Sequence, residues 1–367
     1  MKQIKRFIDC YIPTETCNLR CHYCYITQKK RFHQQLFHLN RPVEEMKEAF
    51  SQEKWGGSCI INLCAGGETL LAEEVVDVAS AMIEAGHYVM IVTNGTVSGR
   101  FEQISCLPER IRRNLFIKFS FHYLELLRLG WLEKFCENVL KMKQAGISFT
   151  IEVTPSDELI PYIEELKAFC IENFGALCHV TIARNDRTEG IDILSKMSLE
   201  EYQNTWKGFQ SELFEMKCNV LRNFYRGGVF CYAGIGSVYL DLMSGDYKQC
   251  YCGQTLGNIY QDSVLAFRAI GKRCSFPYCY NGHAFLCFGD IPAYAAPTYD
   301  RMRNRQCADG TEWLTEEMKS VMQQKVIGKD DLLKKREIIQ DTVCYGKELM
   351  TSKIKQVVRR LIHHETE

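Results

Sequence analysis

The 367 residues include 45 lysines and arginines against 45 aspartates and glutamates, so no global field draws the chain to nucleic acid or to an anionic membrane. The start, MKQIKRFIDC, lacks the apolar run of a signal peptide, and no stretch is long and apolar enough to span a bilayer, so a cytoplasmic protein is expected. Nineteen cysteines do not suit a reducing compartment as disulfides and point instead to metal or redox work.

Residues 1 to about 190 alternate short apolar runs with helical patterns, the βα rhythm of a parallel sheet with helices outside it. IKRFIDCYI, CIINLCAGG, HYVMIVTNG, NLFIKFSFH, ISFTIEVTP and LCHVTIARN read as six strands. Between them VEEMKEAFSQ, LAEEVVDVASAMIEAG, WLEKFCENVLKMKQAG and IPYIEELKAFCIENFG place apolar residues at helical spacing, and three of these four end on glycine, as helices often do. Six βα units are too few to close an eight-stranded barrel. The expected fold is α/β, a partial (β/α)6 TIM-like barrel with its chemistry at the C-terminal ends of the strands.

The barrel is expected to occupy residues 1–197. Residues 198–225 then read as a linking helix or helix pair opened by a capping box of Ser198 and Glu201. Residues 226–292 read as a small cysteine-rich module whose apolar core is thin without metal, and 293–367 as a charged helical extension.

Two cysteine groups stand out. In Cys17-Asn-Leu-Arg-Cys21-His-Tyr-Cys24, directly after the first strand, three thiolates can hold three corners of a cubane and leave one iron open to a substrate or cofactor. Ligand type alone also allows a zinc site with His22 as the fourth ligand. In the second group, thirteen residues separate Cys231 from Gly245 and four more lead to Cys250. GSVYLDL followed by a turn at Met243–Asp246 makes a hairpin that brings the two cysteines together. Cys252, Cys274, Cys279 and Cys287 follow, and a zinc ribbon is the alternative for this group. The isolated cysteines read as small core hydrophobes.

Cys-x3-Cys-x2-Cys with Tyr23 before the last cysteine resembles the signature of the radical S-adenosylmethionine (SAM) superfamily, and the likeness extends over roughly the first 190 residues. It implies a [4Fe-4S] cluster on Cys17, Cys21 and Cys24 whose open iron chelates SAM, and reductive cleavage of SAM to a 5′-deoxyadenosyl radical. The resemblance also implies that Gly66-Gly67-Glu68, ending the second strand, meets the methionine ammonium of SAM. Tyr23, Asn94 in Thr93-Asn94-Gly95, and Ser120 on the fourth strand are the further candidate cofactor-binding residues. His122, Glu152, Thr154 and Arg184 are candidates for SAM or substrate, with structural hydrogen bonding as the alternative for each. No catalytic side chain is singled out.

The second cysteine group, with LGNI at 256–259, resembles the opening of SPASM and Twitch extensions. That likeness implies one auxiliary [4Fe-4S] cluster on Cys231, Cys250, Cys274 and Cys279, with Cys252 and Cys287 in reserve. The expected function is hydrogen abstraction from a peptide or protein substrate, with a sugar or other small molecule as the alternative and a non-catalytic metal-binding or redox-sensing protein as the competing class. An electron donor such as flavodoxin or ferredoxin is implied. Only sixteen residues precede Cys17, so a peptide substrate is expected to need a separate leader-binding protein or another surface of this one.

Iron content separates the readings of the second group. With Cys17, Cys21 and Cys24 replaced by alanine, about four irons per chain should remain for one auxiliary cubane and about eight for two, whereas a ribbon would hold zinc and no iron.

Overall fold

A computed structural model of the chain describes residues 3–36, 38–39, 41–188, 192–222, 229–251, 253–274, 276, 279, 282–328, 332–334, 336–339 and 343. Six parallel strands form where the apolar runs lie: β1 (Arg6–Ile12), β2 (Cys59–Ala65), β3 (Tyr88–Thr93), β4 (Leu115–Phe121), β5 (Ser148–Val153) and β6 (His179–Val180). They pair in sequential order, the outcome of repeated right-handed βα crossovers. The helices Val75–Glu84, Leu132–Gln144 and Ile163–Phe174 end on or just before the glycines noted above. β7 (Arg184–Asn185) and β8 (Asp192–Ile193) make a separate two-stranded ladder. The linker is a helix pair, Leu199–Trp206 and Glu212–Arg222, and the first carries the expected capping box.

The hairpin expected after Cys231 forms as β9 (Ser237–Asp241) and β10 (Asp246–Lys248), followed by β11 (Thr255–Asn258). It does not fold on a core of its own. β9 pairs in parallel with the free edge of β1, from Phe7↔Ser237 to Tyr11↔Asp241, so one nine-stranded sheet runs β11-β10-β9-β1-β2-β3-β4-β5-β6 without closing. Val238, Leu240, Tyr247 and Ile259 join the same apolar cluster as Ile8, Cys10, Ile61 and Leu63. The polar look of this region in sequence comes from its turns, while its strands use the barrel's core.

Strand alternation sorts side chains to the two faces of the curled sheet. One set packs under the helices. The other, with Phe7, Ile60, Met90 and Phe116, packs against Phe285, Leu286, Phe288, Tyr299 and Met302, so residues 284–302 plug the inside. Cys287 belongs to this plug: it is fully buried, its Sγ 3.6 Å from both Met216 Sδ and Met302 Sδ. That position corrects its reading as a reserve cluster ligand. The plug continues as a strap on β5, where Phe149 N–H donates to Trp313 O (3.0 Å) and Thr315 N–H to Ser148 Oγ (2.9 Å). The expected C-terminal helix is represented by Glu316–Met322, and most of 329–367 lies outside the described residues. No helix among the described residues is long and apolar enough to cross a membrane.

The strap inserts Arg303, which has no exposure and contacts the carboxylate of Glu152 on β5; Lys118 Nζ on β4 lies 3.4 Å from the other oxygen. Arg303 Nε and Nη2 find no acceptor among the described residues, so the pair fixes position more than it adds net stability. Glu152, a candidate for SAM or substrate in the sequence, is occupied by these two cations. Arg303→Met leaves a buried carboxylate with one distant partner and should cost roughly 3 kcal/mol, read as a lowered denaturation midpoint of the whole protein. Arg303→Met with Glu152→Gln should recover much of that loss.

Candidate active site

The loop after β1 carries Cys17, Cys21 and Cys24 and is held by its own backbone. Cys24 N–H donates to Cys21 O (3.2 Å) and Gln28 N–H to Cys24 O (2.9 Å), while Thr27 Oγ1 donates to Cys21 O (2.8 Å). The end of β2 clamps the same loop from the side: Gly67 N–H donates to Thr14 O (2.6 Å) and Glu68 N–H to Thr16 O (2.9 Å). A Cβ on Gly66 would strike the Tyr11 hydroxyl and Thr14 carbonyl, and one on Gly67 would overlap the Thr16 carbonyl. Here glycine is required by backbone contact.

Glu68, 2% exposed, gathers three donors: Leu70 N–H (2.9 Å) and the Thr93 hydroxyl (2.6 Å) on one oxygen, and Asn94 N–H (2.6 Å) on the other. Burial raises its pKa while these three bonds oppose the rise. Asn94 in turn donates from Nδ2 to Asn18 Oδ1 (2.7 Å) and to Cys17 Sγ (3.8 Å). The residue read from sequence as cofactor-binding is thus also a positioning residue for the first thiol, through Asn18, which the sequence reading passed over.

Cys17, Cys21, Cys24, Gly66, Gly67, Glu68, Asn94 and Ser120 all line one cavity of about 170 Å3. The three cysteines share this cavity's wall, and among the described residues no three His, Cys, Asp or Glu side chains converge as ligands of a metal ion. Burial pushes the Cys17 thiol up to about 11, with Leu19 N–H and Asn94 lowering it in part, and raises Cys21 and Cys24 as well. Ligands in so dry a site must lose their protons as a metal centre binds. Three soft donors around a cavity, with backbone brought close by two glycines and a carboxylate fixed beside them, fit a cluster carrying a small zwitterionic ligand. His22 faces away: its Nε2 is 2.8 Å from Glu158 Oε2 and its side chain is 48% exposed, which removes the zinc alternative's fourth ligand.

A second cavity of about 250 Å3 shares Cys24, Tyr25 and His122 with the first. Tyr23 lines this one, its hydroxyl 2.8 Å from His122 Nδ1. Burial lowers the pKa of His122 to about 4, so the ring is neutral at neutral pH. Thr154 and Arg184 also line it, Arg184 with Asp186 as its partner at 3.0 Å. So does Lys217, from the helix Glu212–Arg222; a lone lysine at helical spacing reads as a solvated face in sequence, and no signal singles it out.

Of the second cysteine group, Cys231 is buried and forms a backbone bridge with Gly271. Cys279 and Cys250 are close enough for their charge to raise its thiol pKa further. Cys279 also lines the second cavity, Cys274 is exposed, and Cys252 lies outside the described residues.

Glu68→Gln is more than a loss of charge here, because either orientation of the amide sets an NH2 against a donor. The variant should lose about 1–3 kcal/mol of stability, read as a denaturation shift, and should weaken SAM binding by about 1.5–3 kcal/mol by calorimetry.

The sequence matches no curated protein. Among solved structures it is similar to Streptococcus suis SuiB bound to precursor peptide SuiA (18% identity, TM-score 0.47, 71% of this chain and 63% of that one). It is also similar to native anSMEcpe with bound AdoMet and Cp18Cys peptide (15%, TM-score 0.48, 70% and 78%) and to BtrN in complex with AdoMet and 2-DOIA (13%, TM-score 0.30, 72% and 85%). The chain spans just under two thirds of the SuiB chain's length. A sequence profile described as the Radical SAM superfamily matches residues 11–170, the segment that holds all three clustered cysteines, Glu68, Asn94 and Ser120.

Proposed function

We propose that the protein is a radical SAM enzyme that takes hydrogen from a substrate held in the second cavity. The observation that carries this reading is the pair of adjacent cavities: one lined by the three cysteines, Gly66, Gly67 and Glu68, the other sharing Cys24, Tyr25 and His122 with it. When bound, a [4Fe-4S] cluster on Cys17, Cys21 and Cys24 supplies the electron that cleaves SAM to a 5′-deoxyadenosyl radical.

The chain's own residues bind, orient and shield. Asn94 and Leu19 N–H direct hydrogen bonds at the Cys17 sulfur, which stabilises its thiolate form. Glu68 offers a fixed carboxylate to the ammonium of SAM, its orientation set by three donors before any ligand arrives. Gly66 and Gly67 keep the wall thin enough for that approach, and Ser120 presents a hydroxyl from β4 to the same cavity. His122, which lines both cavities, and Tyr23, which lines the second, are hydrogen-bonded to each other and help to exclude water from the reacting region.

An auxiliary [4Fe-4S] cluster on Cys231, Cys250, Cys274 and Cys279 is part of the proposal. The nearness of Cys231, Cys250 and Cys279 supports it, and Cys279 on the cavity wall gives it a role in holding substrate or moving an electron. A peptide is the proposed substrate, and a flavodoxin or ferredoxin the proposed electron donor.

Anaerobically reconstituted protein with dithionite should convert SAM to 5′-deoxyadenosine, followed by chromatography. The triple variant with Cys17, Cys21 and Cys24 replaced by alanine should release none; turnover in that variant would place the reactive centre elsewhere.

A further inference from the structure

The interior of the curled sheet is rich in cations that the described residues do not fully balance. Lys118, Arg184, Lys217 and Arg303 face Asp9, Glu152 and Asp186. Arg303 and Lys118 share Glu152, and Arg184 has Asp186. Lys217 has only a neutral partner, the Thr181 hydroxyl, and no carboxylate pairs with it among the described residues. Lys217 is half-buried, and an ammonium partly withdrawn from water without a counter-ion is costly. Burial, with Lys118 and Arg184 adding to it, lowers the Lys217 pKa to about 7, and an arriving anion would reverse that shift.

Lys217 and Arg184 line the second cavity beside the apolar Ile182, Met216, Val220 and Leu221. Tyr23, His122, Thr154 and Asp186 line it too, and because Asp186 is engaged by Arg184, the wall offers apolar and neutral polar surface with one unbalanced ammonium. That pattern suits a monoanion on a short carbon stem. A phosphate dianion would call for more positive charge or a nest of backbone N–H groups.

We propose that this cavity selects a substrate bearing a carboxylate, held by Lys217 with Arg184 beside it. The inference rests on the reading of this cavity as the substrate site. An acidic side chain of a peptide and a free carboxylic acid present the same group, and the probes separate them.

The test uses the reconstituted, SAM-loaded protein and calorimetry with two acid and amide pairs. N-acetyl-glutamate methylamide against N-acetyl-glutamine methylamide represents a peptide, and butyrate against butyramide a free acid. In at least one pair the acid should bind about tenfold or more tightly than the amide, and the pair that does so identifies the source. Lys217→Met should abolish that ratio, Lys217→Arg should keep it, and SAM affinity should be unchanged in both. Equal binding of acid and amide by the unsubstituted protein overturns the proposal without any variant, as does a ratio that survives Lys217→Met. A tenfold loss of SAM affinity in Lys217→Met would assign the ammonium to SAM and overturn it too. Binding of no probe at all would overturn the substrate-cavity reading, and the inference with it.

Discussion

The carboxylate of Glu68 ties three strand ends together. It sits after β2, takes N–H and hydroxyl donors from the end of β3, and its backbone N–H is bonded to the cysteine loop after β1. A buried carboxylate is tolerated only when its oxygens are satisfied. The three loops must therefore adopt one mutual arrangement or leave a charge unpaired. Asn94 carries the same constraint one residue further, from Glu68 to Asn18 and Cys17. The geometry of the first thiol is in this way linked to the residue proposed to meet SAM, and neither can shift alone.

Above and below that point the inside of the sheet is graded. Its lower part is apolar and plugged by Phe285, Phe288 and Tyr299 against Phe7, with stacked rings 5.1 Å apart for both Phe7–Phe288 and Phe288–Tyr299. Its middle holds Glu152 between Arg303 and Lys118. The two cavities lie at the C-terminal strand ends, where parallel αβ folds place their chemistry. The plug makes an open sheet rigid without closing it: the strap covers the part of β5 that the two-residue β6 leaves unpaired. The mouth stays polar and the floor stays dry.

The extension of the sheet by β9 has a second consequence. Because β9 lies on β1, the segment with Cys231, Cys250 and Cys279 leaves the same sheet that carries Cys17, Cys21 and Cys24, and Cys279 reaches the cavity that Cys24 also lines. The two cysteine groups are thus tied by backbone hydrogen bonds of one sheet, a stiffer link than a linker helix would provide.

Local pattern alone determined the six strands, most of the helices, the capping box at Ser198 and the three clustered thiols. Each depends on periodicity or on residues a few positions apart, so no distant contact was needed to read it. Gly66-Gly67-Glu68 was legible only through the resemblance, since by itself it reads as a strand-ending turn, and the clash that demands glycine is with Thr14 and Thr16, some fifty residues away. Tertiary structure decided the rest. Cys287 looks like its neighbouring cysteines in sequence and is a core residue among methionines, while Glu152 looks available and is held by an arginine from the far end of the chain. Lys217 resembles a solvated helix lysine and faces a cavity. A side chain's charge and size are written locally, but whether it meets water, a counter-ion or a ligand depends on segments more than a hundred residues away, and only the folded chain brings them together.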